Sequence, residues 1–311
     1  MTVSLTLHIA GDLPAVPRMG WFGQMGRALR RMAQWRLLLA WWLALTVPAV
    51  VVGLPVWQAL SRQLDHSLLA PALARGIDPS LLAEALGQVF LAPSLVPVPV
   101  LGAFGVVWTL LFTPWLTAMA GVAARQPAPL RWNELLRAGL ADYGRMGRAL
   151  VWGLVLLVLA MAVGNGLTHL AERRGEHMVL ESDALFWERL AQGLTWLLAL
   201  LALASAEAGR ALLVLEPRRR SAVLAWWRGL RSLLRDRARV LGLFLGLSLL
   251  AALGLTLCTG LRWRLAGSLP TGGLALAWLL GQLGLLLLVW VRCARLCAVV
   301  DAGRMAGRPQ A

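Results

Sequence analysis

Chemistry inside a membrane needs polar groups in apolar surroundings, and Glu207 is placed that way, late in the run LTWLLALLALASAEAGRALLVLEP. At 1.5 Å per helical residue it falls roughly 25 Å into that run, near the inner edge of a hydrocarbon core about 30 Å thick. Arg210 stands one turn further on, positioned to pair with it and to snorkel. A carboxylate in that position could act as a coupling acid or a gate, or simply orient its helix at the boundary. Arg292, Arg295 and Asp301 form a comparable set late in the chain.

Milder polar groups lie deeper. Thr109, Thr113 and Thr117 recur at helical spacing around Pro114, and Gln282 falls about 12 Å into the last apolar run. A threonine can return its hydroxyl hydrogen to its own helix and a glutamine can bridge neighbours, so these residues suit either packing or a lined path. Gly242 and Gly246 form a G-x-x-x-G pair, and Gly273, Ala277 and Gly281 a second small-residue strip, both signals of close helix contact. Pro48 and Pro55 should kink the first span.

Metal and covalent chemistry find little support. Cys293 and Cys297 share a helix face with no histidine beside them, and Cys258 stands alone, so packing is their expected role. His169, Glu172, Glu176, His177, Glu181 and Asp183 bring metal-ligating side chains into one loop, but no fixed spacing organises them, and Arg173 and Arg174 interrupt the acids. Neither a metal nor another cofactor is expected. The chain has no phosphate-binding G-x-x-x-x-G-K-[ST] loop, G-x-S-x-G elbow or zinc-protease motif, which points to binding, transport or assembly rather than catalysis.

These residues must be positioned by a membrane fold. Of 311 residues, 59% are hydrophobic and 14% charged, too little polar surface to cover a soluble globule. Six runs reach the ~20 residues that span a bilayer. They lie near Leu37 to Leu60, Val98 to Ala123, Ala149 to Leu167, Leu190 to Ala208, Val240 to Leu261 and Leu274 to Val291. Continuous apolarity predicts an all-α polytopic protein with six transmembrane helices, because barrel strands would alternate. Residues 21–303 form one membrane domain, with tails at 1–20 and 304–311.

All 30 basic residues are arginine, and most fall before the odd-numbered spans or after the even-numbered ones. The positive-inside rule then puts both termini in the cytoplasm of a bacterial inner membrane. The net charge of +15 is therefore a topology signal, and no nucleic-acid partner is expected. The opening MTVSLTLHIAGDLPAVP lacks the cationic start and apolar core of a secretory signal and reads as a tail. Asp78 and Pro79, in the first outer loop, read as the cap and first residue of a short surface helix.

In EPRRRSAVLAWWRGLRSLLRDRARV, Val223, Trp226, Trp227, Leu230, Leu233 and Leu234 share one face, opposite Arg228, Arg231 and Arg235. An amphipathic helix of this kind suits the membrane interface, with the arginines on anionic phospholipid headgroups and the tryptophans at headgroup depth. A similar segment, LRWNELLRAGLADYGRMGR, carries Arg137, Arg145 and Arg148, and WFGQMGRALRRMAQWR precedes the first span. RALLVLEP from Arg210 matches RLCAVVDA from Arg295, with AGVAARQP from Ala120 as a degenerate copy. The chain thus reads as three units, each an elbow helix followed by a transmembrane hairpin.

With six spans, basic elbows and a first outer loop reading LSRQLDHSLLAPALARGIDPSLLAEAL, the chain resembles a group of uncharacterised bacterial six-helix membrane proteins. More distantly it resembles the six-helix membrane domain attached to some glycerophosphodiester phosphodiesterases. The sequence contains no phosphodiesterase catalytic domain, so the resemblance implies a fold and a setting but no activity. The expected function is a transport-related or lipid-interacting membrane protein. The alternatives are a scaffold or assembly factor with a membrane-protein partner or a second copy of itself, and a permease subunit working with a separate ATPase.

Overall fold

The computed structural model describes residues 20–64, 98–126, 128–175, 181–216, 221–235, 237–266 and 272–306. The predicted surface helix after Asp78 and Pro79 lies outside them, as do both tails apart from Gly20 and residues 304–306. Among the described residues the fold is all-helical, with no strand. Three short helices precede the hairpins: α1 (Trp21–Met32), α4 (Trp132–Ala141) and α7 (Ala222–Arg235). The hairpins are α2 (Trp35–Leu64) with α3 (Val98–Arg125), α5 (Tyr143–Gly175) with α6 (Glu181–Leu215), and α8 (Arg237–Ala266) with α9 (Gly272–Ala306). All six hairpin helices are long and apolar enough to cross a membrane, which makes this a multi-pass membrane protein.

Sequence periodicity accounts for the elbows. Ser221 precedes α7 and its hydroxyl accepts the Leu224 N–H at 3.3 Å, a standard N-cap. Between α4 and α5, the Asp142 carbonyl accepts the Met146 N–H at 3.1 Å, so the chain turns and restarts as a helix within one residue. The elbow faces differ from expectation in one respect. Ala222, Ala225 and Gly229 of α7 pack inward, Val223 and Trp227 remain exposed, and Trp226 turns toward the bundle, edge-on to Trp152 at 5.6 Å. Small side chains let the elbow backbone approach the spans, while larger apolar groups such as Val223 and Trp227 stay on the outer surface.

The units close into a ring. Each elbow packs on the second span of the unit before it: α4 on α3, α7 on α6 and, returning to the start of the chain, α1 on α9. The three second spans also touch one another. More than half of the most apolar stretch of the fourth and sixth spans is buried (56% each), against 28% of the second and 6% of the third, so the second helices of the last two hairpins form the centre, with the second span packed against both. Lipid-facing apolar side chains such as Val158 and Leu159 of α5 are left exposed, as a bilayer solvent allows.

Helix α2 runs through Pro48 and Pro55, and α3 through Pro114. Tyr143, at the start of α5, donates its hydroxyl to the Leu111 carbonyl at 3.0 Å, in the turn before Pro114. The G-x-x-x-G pair of α8 does not seat another span. A Cβ on Gly242 or Gly246 would lie 3.2 or 2.9 Å from the Trp21 ring, so the elbow α1 plugs that groove with an indole. The sixth-span strip meets the fifth at Gly281, where a Cβ would lie 3.5 Å from Arg262; beyond the strip, a Cβ at Gly284 would touch Leu255 and Cys258, while Leu287 fills the space above Gly254.

The spans are longer than their hydropathy suggests, the fourth reaching Leu215 and the sixth Arg304. Their later turns carry charges, Glu207 and Arg210 in the fourth and Arg292, Arg295, Asp301 and Arg304 in the sixth, that lower local hydropathy, yet they stay helical because they are packed among the elbows.

Candidate functional site

Aligning Ala120 with Arg210 and Arg295, as the repeated motif suggests, also aligns positions one turn earlier. Trp115 falls on Ser205 and Trp290, and Thr117 on Glu207 and Arg292. The structure gives both sets a role. The Trp115 indole donates to the Leu136 carbonyl of α4 (3.3 Å) and the Trp290 indole to the Leu29 carbonyl of α1 (2.8 Å). Ser205 accepts from the Trp226 indole of α7 (3.1 Å). Three equivalent positions thus hold three elbows at one level of the bundle.

At that level, facing inward, Thr117, Ala120, Glu207, Arg210, Arg292 and Cys293 line a cavity of about 20 Å³, with Trp41 and Leu296 completing the lining. That is room for one or two waters. Glu207 is 7% exposed, and its Oε1 accepts from Arg295 Nη2 at 2.9 Å. The Glu207 partner is therefore Arg295, from another span, rather than Arg210 one turn along its own helix. Arg295 also donates to Ser248 Oγ (2.9 Å) and lies over the Phe244 ring at 4.9 Å. Arg292 stacks on Trp41 at 5.0 Å, and Arg210 Nη2 lies 3.1 Å from where a Cβ on Gly153 would stand. Glu207 Oε2 has no hydrogen-bond partner among the described residues.

A second layer of charges ties the helix ends together. Arg31 reaches Asp301 at 3.2 Å and also donates to the Ala124 and Gln126 carbonyls at 2.9 and 3.0 Å. Arg145 bonds Asp142 at 2.6 Å and donates to the Leu213 and Glu216 carbonyls at 2.6 and 3.0 Å. Both arginines satisfy carbonyls that the last turn of a helix leaves without partners, at the end carrying the negative dipole. Arg125 joins Asp142 at 3.1 Å, and Arg304 joins Asp301 at 3.5 Å. Arg145 thus faces the helix ends of its own hairpin, whereas Arg137, Arg228 and Arg231 are exposed on the elbows. Arg231 lies over the exposed Trp227 ring at 5.2 Å, and Arg235 ends α7.

No family model, no curated protein and no solved structure matches this chain. Its own geometry carries the argument.

The milder polar residues have structural partners. Thr109, Thr113 and Thr117 donate to the carbonyls of Gly105, Thr109 and Thr113 at 2.8, 2.6 and 2.7 Å, all within their own helix. Gln282 Oε1 accepts from the Trp42 indole at 2.7 Å, joining the sixth span to the first. His169 and Glu172 form an exposed pair at 3.0 Å, and Asp183 is exposed. Glu176 and His177 lie outside the described residues, and no group of three metal-ligating side chains occurs among the described ones. All three cysteines are free. Sequence reasoning passed over Trp41 and Ser248, which hold Arg292 and Arg295. The signal was present in the repeat register, which brings Glu207 and Arg292 to equivalent places on touching helices.

Proposed function

We propose that this chain is a bacterial inner-membrane protein, with both termini cytoplasmic, that recognises anionic phospholipid headgroups without covalent chemistry. The arrangement of the elbows carries this reading. Three amphipathic helices are fixed at one level around the bundle, with Arg137, Arg228 and Arg231 exposed and the Trp227 ring beneath Arg231. Trp35 stacks edge-on with Trp132 at 5.8 Å and carries Arg36 over its ring at 5.4 Å, a second aromatic and cationic pair at the elbow end. Each basic residue near an anionic surface contributes about 1 kcal/mol, and a ring of them at fixed height selects the leaflet as well as the lipid. Transport of a solute would require the central helices to separate, since the central cavity admits little more than water.

Native mass spectrometry of protein from nanodiscs of mixed phosphatidylglycerol and phosphatidylcholine tests the reading. The wild type should retain phosphatidylglycerol selectively, and the triple variant Arg137→Gln, Arg228→Gln, Arg231→Gln should lose that selectivity. Equal retention of both lipids by the wild type would sink the proposal.

A further inference from the structure

The central cavity poses a charge problem that the elbow surface does not. Arg210 and Arg292 line it with one carboxylate, Glu207, which Arg295 binds from beside the cavity, so three positive charges in the cluster against one negative leave a net +2. Arginine stays protonated in proteins, so this excess is not relieved by losing a proton. Among the described residues the ion pair in the cluster joins Glu207 to Arg295, and neither Arg210 nor Arg292 has a carboxylate within ion-pair distance. A side-chain shift that gave Glu207 Oε2 to Arg210 or Arg292 would leave the same net charge. Uncompensated charge within a protein is costly, and a guanidinium planar fork matches an oxyanion well.

We propose that this cavity is an anion site for one phosphate group, held between Arg210 and Arg292 where the three second spans meet. Arg295 holds Oε1 of Glu207, which leaves Oε2 as the one charge opposing the ligand, and the Trp41 face fixes the Arg292 guanidinium. The cavity as it stands holds little more than water, so entry requires the Arg210 and Arg292 side chains to part, and the group that enters is compact: free inorganic phosphate or the phosphate of a lipid headgroup. The site is separate from the elbow arginines, and its test involves none of them.

Delipidated protein in mild detergent is titrated with inorganic phosphate while thermal unfolding is followed, with chloride as the control, and phospholipid surviving purification is quantified in parallel. Saturable stabilisation by phosphate assigns a free oxyanion. Tightly held anionic phospholipid, with phosphate ineffective, assigns a headgroup. In either case Arg210→Gln and Arg292→Gln should each weaken binding about tenfold or more, the loss of a charged hydrogen bond. Arg189→Gln, exposed at the start of α6 far from the elbows, should not. Glu207→Gln should tighten binding, because it removes the one opposing charge; a purely structural role for the cluster predicts no such gain. If Arg210→Gln does not accumulate, Arg210→Lys keeps the charge without the fork and should bind more weakly than wild type. The absence of any phosphate effect or retained lipid in the wild type overturns the proposal, as does a Glu207→Gln variant that binds as poorly as Arg210→Gln.

Discussion

The indole nitrogen of Trp108 lies 2.9 Å from the carbonyl oxygen of Ala44, the residue four before Pro48. Proline has no N–H, so the Ala44 carbonyl loses its usual partner within α2, and a side chain from α3 takes that place. The first hairpin is therefore held together at the point where its first helix is locally incomplete.

Replacing Trp108 with phenylalanine should keep most of the apolar contact and strand that carbonyl, at a cost of about 1–2 kcal/mol. In a Pro48→Ala background the helix can supply its own N–H, and the same replacement should cost well under about 1 kcal/mol. A double-mutant cycle by unfolding in detergent measures the difference; equal costs in the two backgrounds would refute the assignment.

Glu207 and Gln282 are both polar groups inside spans, but their removal should differ in scale. Glu207→Ala leaves Arg295 and its neighbours with no carboxylate and should destabilise by about 3–5 kcal/mol. Gln282→Leu removes one interhelical bond from Trp42 and should cost about 1 kcal/mol. Comparable losses in unfolding experiments would count against the central charge cluster.

Elbow docking depends on glycine where backbones meet. A Cβ at Gly229 would stand 2.8 Å from the backbone of Ala208 and Gly209, which has no flexible end to move aside. Gly229→Ala should therefore lower the melting temperature, whereas Gly144→Ala, with nothing within 4 Å, should leave it unchanged or raise it slightly through helix propensity. A neutral Gly229→Ala would mean that α7 sits on α6 more loosely than its geometry implies.

Orientation is open to direct measurement. With Cys258, Cys293 and Cys297 replaced, single cysteines at Arg137 and Arg228 should react with a membrane-impermeant maleimide only after the cells are opened. One at Arg189 should react in intact cells. Labelling of Arg228→Cys from outside would invert the proposed topology.

Much of the architecture can be read from the chain itself. Hydropathy locates the six spans because a bilayer demands continuous apolar length, and a 3.6-residue period exposes the elbows because each has one apolar face. The arginine spacing that relates Ala120, Arg210 and Arg295 also marks the repeat. All of these are local properties, repeated along one helix at a time.

Which partner each charge takes was settled by the tertiary structure. Glu207 has Arg210 one turn away on its own helix, yet binds Arg295, because the second spans meet at the centre of the ring and bring a distant guanidinium within 2.9 Å. Gly242 and Gly246 receive the Trp21 indole rather than another span because the first elbow closes the ring against the last hairpin. Arg31 and Arg145 bond helix-end carbonyls for a related reason: a carbonyl without a helical partner becomes a site only where folding brings a donor to it. Sequence fixes what each helix can offer, while packing between helices far apart in the chain decides which offers are taken up.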